Sequence, residues 1–99
     1  MSGPTPVSST ALTRIVTIVN RRGLHARAAA KFVTMAERFG ASIEVSRDGQ
    51  SVSARSIMGL MMLGAGQGSQ LELQAEGWDA KEALEALIAL VEAGFNEQD

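Results

Sequence analysis

The sequence predicts an α+β domain, an open-faced β-sandwich in which helices cover one face of a sheet. Three observations predict it. Four short segments alternate apolar and polar residues, the pattern of half-buried strands. Two longer segments repeat apolar residues at helical spacing, and a short apolar run lies between them. Their order along the 99 residues is β-α-β-β-α-β-α, with no Gly-rich phosphate-loop or dinucleotide fingerprint.

The first strand is expected over Leu12 to Val19, rich in β-branched residues, with Leu12, Val16 and Ile18 inward and Arg14 a blemish in the pattern. Asn20 to Leu24 reads as a loop, with Gly23 supplying a positive φ. Ala26 to Phe39 reads as a helix, with Ala29, Phe32, Val33, Ala36 and Phe39 on the core side and Gly40 as its C-cap. Arg27, Lys31, Thr34 and Arg38 then form an opposite, basic stripe. Ile43 and Val45 alternate with polar neighbours in strand two, and Arg47-Asp48-Gly49 is a hairpin signal. Strand three points Val52 and Ala54 inward.

Ser56 is placed to cap a short helix from Ile57 to Leu63, ended by Gly64. That helix is apolar almost all round, and a two-turn helix in a small domain cannot bury every side. Some of Ile57, Met58, Met61 and Met62 should therefore be exposed, where methionines make adaptable contacts. Gly64, Gly66 and Gly68 read as turn residues. Leu71, Leu73 and Ala75 define strand four. Asp79-Ala80-Lys81-Glu82 resembles a capping box for the last helix, whose core stripe is Ala83, Leu84, Leu87, Ile88 and Val91 and which ends near Gly94. Residues 1–10 read as a flexible tail, 11–95 as the domain, and 96–99 as a C-terminal tail.

Composition narrows the function classes. There is no cysteine and one histidine, so neither a disulfide framework nor a zinc site of the usual ligands is expected. No apolar run approaches the ~20 residues of a membrane span, and no secretory signal is legible, so a cytoplasmic protein is expected. A net charge of −2, the lack of tyrosine and the absence of aromatic–basic interleaving argue against a nucleic-acid partner.

Charge is unevenly placed. Before Glu37 there is no acid, but there are Arg14, Arg21, Arg22, Arg27 and Lys31. The only histidine, His25, falls among them, where a strand turns into a helix. An imidazole there stands beside unpaired backbone N–H groups and the positive end of the helix dipole, a setting that favours anions such as phosphate. Arg27 and Lys31 in the first turns oppose that dipole by about 0.3–1 kcal/mol each when exposed. An arriving anion would relieve the conflict.

Gly23-Leu24-His25-Ala26-Arg27, Ala29-Ala30, Phe32-Val33, Ser56-Ile57-Met58-Gly59-Leu60-Met61, Leu63-Gly64 and Ala75-Glu76-Gly77 together resemble the histidine-containing phosphocarrier family, HPr, of the bacterial phosphotransferase system. The blocks are also spaced as in that family, and the likeness covers residues 11–95. It implies an HPr-like βαββαβα fold with a four-stranded antiparallel sheet in the order 1-4-2-3 and three helices on one face. It implies phosphorylation of His25 on Nδ1 by phospho-enzyme I, the phosphate originating in phosphoenolpyruvate, and onward transfer to a histidine of an EIIA-type protein.

Arg27 matches the family's arginine beside the phosphate, and the amides of Ala26 and Arg27 are placed to hold phosphoryl oxygens. Ser56 matches the serine modified in many members by an HPr serine kinase/phosphorylase. Ile57, Met58 and Met61 match the family's docking patch. Ala28 stands where the family usually has proline; both suit the first turn of a helix. The Ala-Arg-Ala-Ala-Ala run resembles proteobacterial members, including the nitrogen-related branch, so the output is sugar uptake or nitrogen-related regulation. The implied protein is a monomeric, stoichiometric carrier without cofactor or metal, rather than a free-standing turnover enzyme. The alternative is a non-carrier regulatory module switched by phosphorylation of Ser56.

Overall fold

In a computed structural model, which describes residues 11–97, the strands β1 (Ala11–Thr17), β2 (Ser42–Arg47), β3 (Gln50–Ser53) and β4 (Gln70–Glu76) form one antiparallel sheet in the order β1-β4-β2-β3. Helices α1 (Ala26–Ala36), α2 (Ile57–Met62) and α3 (Ala80–Glu92) cover one of its faces. The read tail of residues 1–10 lies outside the described residues.

The alternation does what a period of two demands. Val16, Ile43, Val45, Leu71, Leu73 and Ala75 point under the helices and are buried, while Glu44, Glu72 and Gln74 face out. Leu12 is only partly buried, and Arg14, on the same side of β1 near the sheet's edge, remains exposed. The β2–β3 hairpin turns through Asp48 and Gly49, both at positive φ, as its tight turn requires. Phe32, Leu60, Leu84, Leu87 and Phe95 fill the space between helices and sheet.

Two expectations about helix ends are corrected. The first helix stops at Ala36, not Phe39, and Gly40 is not its cap. From Arg38 the backbone tightens: Arg38 N–H donates to Met35 O and Phe39 N–H to Ala36 O, bonds of i→i−3 type. The Arg55 guanidinium takes up the carbonyls of Phe39 (2.7 Å) and Ala41 (3.4 Å). Gly40 has a different use. A Cβ there would stand 3.1 Å from Nε1 of Trp78.

The capping box at α3 is the second correction. Asp79 precedes the helix but makes no side-chain cap bond to it. Its buried carboxylate instead accepts the N–H groups of Gly40 (2.8 Å) and Ala41 (2.9 Å). Two amides that the end of α1 leaves unpaired are a stronger claim on a carboxylate than one amide of its own helix. Among the described residues no helix is long and apolar enough to cross a membrane.

Candidate functional site

The loop from β1 to α1 is built to present one side chain. Gly23 takes φ +67°, and its missing side chain lets the loop lie against Ala65 and Gly66. Leu24 N–H then donates to Ala65 O at 2.9 Å, and the Leu24 side chain is buried. The next residue, His25, becomes the N-cap of α1 in extended conformation. Its Nδ1 accepts the Arg27 amide at 3.3 Å. The first turn of α1 contains no acid, and Ala26 and Arg27 are exposed. His25, Ala26 and Arg27 thus come together as expected, with an imidazole nitrogen facing the open end of a helix.

The other ring nitrogen is also held. Nε2 of His25 hydrogen-bonds to the Glu97 carboxylate. The side chains are 17% and 10% exposed, so the contact is partly screened from water. A carboxylate at Nε2 and an N–H donor at Nδ1 select one tautomer: the proton is on Nε2 and the lone pair on Nδ1.

The second Glu97 oxygen accepts Nδ2 of Asn20 at 3.0 Å, and Asn20 also donates to Gly23 O at 2.9 Å. Burial pushes the Glu97 carboxyl up. The hydrogen bonds from His25 and Asn20, with the positive charge of Lys31 nearby, outweigh it and hold the carboxyl below its ordinary 4.5.

Sequence reasoning misses Glu97, which falls among the residues read as a C-terminal tail. The one legible signal is Phe95, a large apolar residue past the end of α3 that has to be buried somewhere; it is fully buried here.

On the short helix α2 only Leu60 is buried. Ile57, Met58 and Met61 are 40%, 71% and 41% exposed, with Met62 beside them, so this apolar face is surface and not core. Ser56 is the N-cap, its Oγ accepting Gly59 N–H at 2.9 Å. The bond between Leu24 and Ala65 ties the loop after α2 to the loop before His25. The C-terminal end of α2 is thereby brought toward the loop that carries the histidine. Ser56 stands at the far end of α2, about 9 Å along the axis at ~1.5 Å per residue. The basic stripe of α1 borders a shallow groove of about 350 Å³, lined by Arg27, Lys31, Met35 and Arg38 among others.

Comparison with known proteins agrees with this geometry. A family model described as the PTS HPr component phosphorylation site matches residues 12–93. The phosphocarrier protein HPr of Cupriavidus necator is 49% identical over 86 residues, covering 87% of this chain and 97% of its own. The phosphocarrier protein NPr of Shewanella violacea is 47% identical over 88 residues, with coverages of 89% and 97%. The solved structure of HPr-C-His from Thermoanaerobacter tengcongensis matches with a TM-score of 0.84 at 45% identity, over 89% of this chain and 99% of that one. With its sheet order and helix placement in agreement, the chain belongs to the HPr family and is a phosphocarrier protein of the phosphotransferase system.

Proposed function

We propose that Nδ1 of His25 carries the phosphoryl group, taking it from phospho-enzyme I and passing it to an EIIA-type protein. The observation that supports this most is the ring's own hydrogen bonding, which leaves an unprotonated Nδ1 at the amide end of α1. In the forward step the Nδ1 lone pair forms the P–N bond in line, and the donor's bond to phosphorus breaks with its electron pair. As the P–N bond forms, the Arg27 amide gives up its long bond to Nδ1 and, with the amide of Ala26, faces the phosphoryl oxygens. Little covalent work falls to the protein, so position and charge set the rate.

Incubation with enzyme I and labelled phosphoenolpyruvate tests this. The expected result is one acid-labile phosphate per chain, on His25. A chain that takes no label would instead favour a regulatory module.

Arg27 is exposed at the first turn, free to bring its guanidinium to the phosphoryl group. Arg27→Ala is expected to slow transfer about tenfold to a hundredfold with an unchanged circular dichroism spectrum. Wild-type rates with both partners would remove Arg27 from the site.

The exposed face of Ile57, Met58 and Met61 is the docking surface in this reading. Met58→Glu should weaken enzyme I binding by about tenfold or more while shifting stability by less than about 0.5 kcal/mol. A large fall in melting temperature would make Met58 a packing residue.

Ser56 is the regulatory position. A phosphate there would add about −1.5 to −2 charges beside that face, while its distance along α2 keeps it off the imidazole. Its effect is thus on docking. Ser56→Asp should remain folded yet accept phosphate several-fold more slowly at subsaturating enzyme I, and at the wild-type rate at saturation. An equal rate at all concentrations would leave Ser56 a helix cap only.

A further inference from the structure

The chain does not stop at the end of α3. Gly94, Phe95 and Asn96 all take positive φ, at 64°, 57° and 60°, a left-handed turn immediately after a right-handed helix. For Phe95 this conformation is strained, whereas Gly94 and Asn96 are residue types that tolerate it. It persists because the ends are held. The Phe95 side chain is fully buried, and Lys31 Nζ donates to Phe95 O at 2.7 Å. The turn reverses the chain over the start of α1 and delivers Glu97 to Nε2 of His25, 72 residues away in sequence. Asn20, itself buried, clamps the other carboxylate oxygen and the carbonyl of Gly23. Strain kept at a point where it aims a carboxylate at the candidate phosphate acceptor indicates use.

We propose that Glu97 is a positioning residue for phosphoryl transfer: it holds the proton of His25 on Nε2 through both halves of the cycle. This deepens the reading of His25 as the phosphate acceptor and rests on it. Before transfer, the carboxylate fixes the tautomer and the ring plane, so that Nδ1 presents a lone pair. As Nδ1 forms its bond to phosphorus, the donor's bond breaks and the ring becomes cationic, with its proton still on Nε2. The Glu97 carboxylate balances that charge from the opposite flank of the ring, away from the phosphoryl oxygens. In the onward step the P–N bond breaks, its electron pair returns to Nδ1, and the group that leaves is a neutral imidazole. Were the Nε2 proton lost, the leaving group would be an imidazolide anion, a far poorer one.

The test compares full-length wild type, Glu97→Gln and Glu97→Ala, using purified enzyme I and labelled phosphoenolpyruvate. Glu97→Gln keeps the shape and loses the charge. Both variants should accept phosphate on the order of tenfold more slowly, the difference between a charge-assisted and a neutral hydrogen bond. They should also pass it on more slowly. Ring ¹⁵N spectra of His25 should show one tautomer in the wild type and a mixture in Glu97→Ala. Added formate should restore much of the Glu97→Ala rate. Wild-type rates in both variants would overturn the proposal. So would slow transfer accompanied by a lowered melting temperature and no response to formate, since the carboxylate would then only anchor the terminal turn. A wild type that takes no phosphate on His25 would fail the underlying reading instead, and is seen before any variant is made.

Discussion

His25→Ala should accept no phosphate from enzyme I and phosphoenolpyruvate, its label falling to background, while the domain stays folded. No other histidine exists to substitute for it. The cost in stability should be small. The ring caps α1 through one long bond, and losing an N-cap typically costs about 1 kcal/mol.

The loss should depend on pH in a defined way. In the wild type the Glu97 carboxyl is held below its ordinary value, in part by His25. A carboxyl lowered on folding lends stability that is fully present above the unfolded value of 4.5 and is lost as pH falls through the lower folded value. His25→Ala removes part of that contribution, so wild type and variant should converge in stability as the solution is made more acid than this range. Urea titrations at a series of pH values would check this. A gap that widens in acid would mean that Glu97 is not held by His25, and undiminished labelling of the variant would remove the histidine from the reaction.

Gly23→Ala should have the largest effect on folding of any single methyl group added near the site. A Cβ at this position would lie 2.4 Å from Ala65 O and 2.7 Å from the Cα of Gly66, both backbone atoms that cannot rotate away. The residue would also be held at φ +67°, unfavourable for alanine. Together these should cost about 2–4 kcal/mol. The bond from Leu24 N–H to Ala65 O would be forced apart, so phosphoryl acceptance should fall as well.

Gly49→Ala is the control. Its φ is +85°, but nothing lies within 4 Å of the added methyl, so it pays the conformational cost alone. Denaturation midpoints at equal m-values should separate the two variants by the clash. Equal midpoints would show that the two loops slide apart freely, and that the close approach does not set the position of His25.

Much of the architecture was legible because its signals are local. Alternation at Ile43 and Val45, and again at Leu71, Leu73 and Ala75, is a property of neighbours in the chain, and it located β2 and β4. The serine before Ile57 and the glycine before Leu24 act on their own backbone, so they could be recognised without a partner. Exposure of the methionines followed from geometry that any two-turn helix shares. Sheet order was different: it came from the likeness to a family, since no local pattern states which strand lies beside which.

The readings that changed all involve a contact between distant segments. Asp79 looks like a cap when only Ala80 to Glu82 are considered, but the amides of Gly40 and Ala41 reach it first. The helix from Ala26 carries apolar spacing out to Phe39, yet its last residues turn to i→i−3 bonds, and beyond them the distant Arg55 takes the carbonyls of Phe39 and Ala41.

The same division runs through the site. The sequence by itself determined the candidate acceptor, its helix-capping place, the basic charge around it and the apolar helix two blocks on, because each depends on spacing along the chain. Only the tertiary structure decided which nitrogen of His25 keeps its proton and what stands behind it. That choice is made by Glu97, and Glu97 arrives through a left-handed turn fixed by a buried Phe95 and by Lys31. A tautomer is set by hydrogen-bond partners in space, and the spacing of residues along a chain does not record a partner that folding alone brings near.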